Sequence, residues 1–97
     1  MLRRLIGGSK FVKRLNTLME IYASTQDSHA TYLELLKLKP LVKTIGEDAL
    51  YELNRASLLY DMKHYREAAD VVLEVQSINP EFEAKCPIVK KKIMDAL

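Results

Sequence analysis

The chain of 97 residues has one cysteine, three glycines, three prolines, no tryptophan and no long apolar run. Each scarcity excludes something. A lone Cys86 cannot form an internal disulfide, a thiolate zinc site or a CxxC redox pair, and it points to an intracellular, cytoplasmic setting. Three glycines and three prolines are too few for the many tight turns of an all-β protein, so helix is expected throughout. The longest apolar stretches are broken by charge every few residues, far short of the roughly 20 residues a membrane span needs. Fifteen Lys and Arg against thirteen Asp and Glu leave a net charge of +2, too small to argue for nucleic acid. What is present is a hydrophobic share of 48%, too high for a disordered tail and suited, at this length, to one compact domain with one core.

The charge is unevenly distributed. Met1 to Met19 carries Arg3, Arg4, Lys10, Lys13 and Arg14 with no acid. Residues 20–83 hold twelve of the thirteen acids against six bases, and the last fourteen residues are basic again through Lys85, Lys90, Lys91 and Lys92. An acid-free, arginine-containing start with Leu2, Leu5 and Ile6 has the composition of an organelle-targeting segment or a membrane-surface anchor, which would act through residues 1–19. Against that, serine is scarce there and Gly7-Gly8 interrupts a helix. The plainer reading is a solvated basic face on the first helix. Aromatic and glycine features of RNA readers are missing.

Periodicity predicts five helices. Ser9 is a good N-cap for a run from Lys10 to Ala23, in which Val12, Leu15, Leu18, Met19 and Tyr22 recur at three and four. The polar cluster Ser24 to Ser28 predicts a turn. A second helix is expected from Ser28 to Lys39, with Tyr32, Leu35, Leu36 and Leu38 inward, stopping there because Pro40 disfavours the α conformation in the residue before it. Leu41 to Thr44 is either a short helical turn or an extended linker, and Gly46 is expected to be the break. Glu47 and Asp48 suit the first turn of a third helix, which carries Leu50, Leu53, Ala56, Ser57 and Tyr60 on one face and runs to Met62. After a tight Lys63-His64 connection, a fourth helix runs from Tyr65 with Ala68, Ala69, Val72, Val75 and Ile78 inward, until Asn79-Pro80. A last helix is predicted from Phe82 to Asp95, with Pro87 near its first turn and Ile88, Val89, Ile93 and Met94 apolar.

Placing Pro40 over Pro80 shows an internal similarity. Tyr32-Leu33-Glu34-Leu35 lies over Val72-Leu73-Glu74-Val75, and Leu38 over Ile78. Repeats of this length suggest stacked helical hairpins, each burying its apolar face against its neighbour. On these residues, Tyr51 to Pro80 resembles the tetratricopeptide repeat family: Ala68 with Pro80 twelve residues later matches the alanine and helix-ending proline, and Tyr65 the aromatic that opens the second helix. Ala56 sits where the family has glycine. Glu52 and Arg55 stand where it has tryptophan and leucine, and the two prolines are forty residues apart rather than thirty-four. The resemblance implies an all-α, right-handed stack of two hairpins, 10–40 and 47–80, preceded by a basic segment at 1–9 and closed by a capping helix at 82–95.

The same resemblance implies a concave surface that binds an extended or helical peptide. Lys13 and Thr17 would contribute to it from the first hairpin, and Leu50, Leu53, Asn54, Ser57, Tyr60 and Asp61 from the second. Lys13 and Asn54 fall on two positions of the family's carboxylate clamp, whereas Thr17 replaces an asparagine. Tyr60 is the preferred anchor, since tyrosine joins large contact area to a polar tip. No catalytic constellation is assembled. His29 and His64 lie in turn regions without metal-ligand spacing, and Gly7-Gly8-Ser9-Lys10 lacks the spacing of a phosphate loop. Cys86 beside Pro87 at a helix start is either a thiol of lowered pKa or, the preferred reading, a small core residue. The expectation is a non-enzymatic adaptor, small chaperone or assembly subunit, without cofactor or metal, that binds another protein or self-associates.

Overall fold

The computed structural model describes residues 9–78 and 87–97. Among these there are five α-helices and no strand: α1 (Lys10–Thr25), α2 (Ser28–Leu36), α3 (Ile45–Asp61), α4 (Tyr65–Ile78) and α5 (Pro87–Asp95), with a 3₁₀ turn at Lys39–Leu41 between α2 and α3. No helix among the described residues is long and apolar enough to cross a membrane. The expected stop at Asn79-Pro80, the helix start at Phe82, Cys86 and the segment ahead of Ser9 lie outside the described residues, as do the side chains of Ile78 and Ile88.

Local chemistry accounts for each boundary. The Ser9 hydroxyl accepts the Val12 N–H at 3.2 Å, as an N-cap should. α1 runs two residues past Ala23 and ends where Gln26 takes a left-handed conformation (φ 56°), its N–H returning to the Tyr22 carbonyl at 2.8 Å. Asp27 then caps α2 by accepting the Ala30 N–H at 3.0 Å, so the two helices fold back through a two-residue link. α2 stops at Leu36 rather than Lys39. In an α-helix the Leu36 carbonyl would need the N–H that Pro40 lacks. The chain tightens instead into 3₁₀ geometry, with Leu38 N–H on the Leu35 carbonyl and Leu41 N–H on the Leu38 carbonyl, both at 2.9 Å. Leu38 is buried as expected, whereas Leu36, expected inward, is 41% exposed.

Gly46 is not a break. α3 begins before it, because Thr44 accepts the Glu47 N–H at 3.0 Å and Glu47 reaches back to the Lys43 N–H at 2.8 Å. Hydrogen bonding to Ser9, and then to the Lys43 amide, lowers the pKa of the Glu47 carboxyl below its ordinary range. Gly46 thus lies in a first turn whose N–H groups have no helical partner whatever the residue. At the other end of α3, Lys63 adopts φ 68° and His64 donates its N–H to the Leu59 carbonyl at 2.8 Å, which closes the tight link to α4.

Helices adjacent in sequence are packed against one another. One cluster joins Ala49, Ala56 and Leu59 of α3 to Ala68, Ala69, Val71, Val72 and Val75 of α4 and to Ile93 of α5. The other joins Phe11 and Leu15 of α1 to Leu35 and Leu38 and to Tyr51 and Leu58 of α3. α3 therefore serves both. Phe11, fully buried, was not on the predicted stripe of α1, and Tyr51 and Leu58 were not on that of α3. Complete burial of such side chains contributes about 2–3 kcal/mol each in transfer free energy.

Candidate partner-binding site

Most of the α3 residues expected to line a concave surface are engaged by the fold. Leu50 packs on the cluster around Phe11, and Leu53 on the cluster around Ala56. The Asn54 amide donates to the Leu50 carbonyl at 2.8 Å, lying along its own helix. Tyr60 meets Tyr65 with ring centroids 5.3 Å apart, and the Lys92 ammonium stands 4.7 Å over its ring. Asp61 accepts the Tyr22 hydroxyl at 2.5 Å, tying α3 to α1. Ser57 is half-buried.

Glu52 and Arg55, which depart from the repeat pattern, form a two-bonded ion pair at 3.1 Å on α3. Arg55 also reaches the Tyr32 hydroxyl of α2 at 3.5 Å. This is a polar bridge between α3 and α2, and the bond to Glu52 holds the guanidinium in its charged form.

Lys13 and Thr17 lie elsewhere. With Lys10, Arg14, Leu18 and Ile21 of α1, and with Glu34 and Leu38 across from them, they line an open groove of about 520 Å³. None of the six α3 residues lines it. Leu38 is buried and Leu18 half-buried, while Ile21 is 51% exposed. Lys10, Lys13 and Arg14 are exposed on the rim, and the one acid there, Glu34, is paired with Lys37 at 2.7 Å. The Thr17 hydroxyl donates to the Lys13 carbonyl at 3.2 Å. Ile21 was missed in sequence because it lies off the apolar stripe. The readable signal was a second stripe, Lys10, Arg14, Thr17 and Ile21, at steps of four, three and four.

No family model, no curated protein and no solved structure matches the chain.

His64 lies in the α3–α4 link, as expected, whereas His29, expected in a turn, lies in the first turn of α2. His64 is exposed, its Nδ1 3.2 Å from the Glu67 carboxylate, and His29 is exposed near the start of α2. No three His, Cys, Asp or Glu side chains come together in a metal-binding group among the described residues. Of the lysine run in α5, Lys91 pairs with Asp95 at 2.8 Å, and Lys92 is the cation over Tyr60.

Proposed function

We propose that the protein is a non-enzymatic protein–protein interaction module, an adaptor, small chaperone or assembly subunit. Its helices are read as a tetratricopeptide-like, right-handed stack of two hairpins with α5 as the cap. Support comes from the fold-back of α1 on α2 and of α3 on α4, from the packing of each helix on its sequence neighbour, and from the alanines that allow α3 and α4 to approach closely.

The observation that carries the function is the groove between α1 and α2. Leu18 and Ile21 remain open to solvent there, although Phe11 and Leu15 of the same helix are buried. An open groove with an apolar floor and a charged rim supports the reading of a contact surface. The α3 stripe supports binding less well, because Leu50, Leu53, Tyr60 and Asp61 already serve packing and interhelical bonds.

The test is affinity capture from the native host with three baits: the wild-type chain, Ile21→Glu and Tyr60→Ala, each shown to be folded by circular dichroism. Proteins retained by wild type and by Tyr60→Ala but lost by Ile21→Glu are the expected result. A set of retained proteins unchanged by either substitution would remove the groove and the α3 stripe together.

A further inference from the structure

We infer that the groove between α1 and α2 receives an amphipathic helix of another protein, one whose apolar stripe is flanked by carboxylates. This rests on the interaction-module reading and names the chemistry of the partner.

The floor sets the apolar requirement. Leu18 and Ile21 are one helical turn apart on α1, and Leu38 faces them from the chain just past α2. Such a floor accepts side chains spaced three and four apart on a third helix laid along the pair. A helical occupant also follows from the packing. α3 covers the α1–α2 hairpin on one side, with Tyr51 and Leu58 set among Phe11, Leu15 and Leu35. Among the described residues no helix covers the groove edge of that hairpin, which leaves room for one more helix beside α1 and α2.

The rim sets the charge. Lys10, Lys13 and Arg14 are exposed within the first five residues of α1, and no described carboxylate pairs with any of them. Folding does not benefit from this placement. Cations near a helix N-terminus oppose its macrodipole, and Lys10 repels both Lys13 and Arg14 at steps of three and four. Three bases set at an unfavourable helix end, beside an open apolar floor, fit an anionic partner. Carboxylates flanking the docked stripe would pair with all three and would also face the favourable end of the α1 dipole.

The probe is a pair of labelled synthetic helical peptides with identical leucines at steps of three and four, flanked in one by glutamates and in the other by lysines, titrated into the full chain. The acidic peptide should bind about tenfold tighter, the combined effect of three exposed ion pairs. That preference should shrink between about 50 and 500 mM salt as the rim is screened. Lys13→Glu with Arg14→Glu should reverse the preference, and Ile21→Asp should weaken both peptides. Equal affinity for the two peptides, or a preference indifferent to the double substitution, overturns the proposal. So does loss of binding with Tyr60→Ala and not with Ile21→Asp, although the module reading then stands. Two further results name other occupants and overturn it as well: capture by phosphatidylserine vesicles without peptide binding, or a dimer in light scattering that Ile21→Asp dissociates. If neither peptide binds and host capture returns nothing specific, the module reading itself fails.

Discussion

The Tyr22 hydroxyl, donated to Asp61, shows how one bond couples two helices and a titration. Burial first, then the bond and the negative charge of Asp61, push the Tyr22 pKa up to about 12 from 10.0. Because the folded state holds this proton more tightly than the unfolded chain, the associated stability is complete below pH 10 and is lost as pH rises towards 12. Tyr22→Phe should cost about 1 kcal/mol near neutral pH. In urea titrations, its deficit relative to wild type should narrow above about pH 10. A deficit that stays constant across that range would show that the bond does not form in solution. Asp61, chosen in sequence as a partner-binding residue, thus has an internal role in the fold. Its spacing on α3 could be read from sequence, whereas Tyr22, 39 residues away, could be paired with it only in three dimensions.

At the scale of the helix, the start of α3 can be tested without disturbing the core. A Cβ at Gly46 would meet only the Thr44 hydroxyl, at 3.9 Å, and its φ is not positive. Gly46→Ala should therefore stabilise the protein by about 0.5 kcal/mol, through the reduced freedom of the unfolded chain. Thr44→Ala, which removes the cap, should cost about 1 kcal/mol. Thermal melts that lower the midpoint for Gly46→Ala would mean the glycine is required. This boundary was the least well read in sequence, because glycine was weighed as a breaker while the Thr44-to-Glu47 capping pattern beside it was passed over. Helix interiors were more legible. α4 buries Ala68, Ala69, Val72 and Val75 as its periodicity predicts, and the Lys63-His64 link falls where expected. The end of α2 was not, because the constraint from Pro40 acts on the carbonyl four residues earlier, whereas the expected stop considered only the residue before it.

Across the whole molecule, the two buried clusters are separate in membership yet share α3, and Tyr32 of α2 packs against both. This joint is expected to couple the two small cores into one cooperative unit. Tyr32→Ala should lower stability by about 2 kcal/mol and should broaden unfolding, with a calorimetric enthalpy exceeding the van't Hoff value. A transition that stays sharp after the substitution would show that α3 alone couples the halves. The groove was only partly legible for a related reason. Lys13 and Thr17 were chosen for their positions in a repeat and were expected beside α3, but contacts across from α1 decide which surface they join, and these come from Glu34 and Leu38.

The sharing of α3 has a consequence for synthesis on the ribosome. The first hairpin emerges before the helix that completes its core, so Phe11, Leu15 and Leu35 have no Tyr51 or Leu58 to meet until α3 has cleared the exit tunnel. Until then the leading half is an amphipathic pair with its oily side uncovered, and it cannot mature ahead of the trailing half.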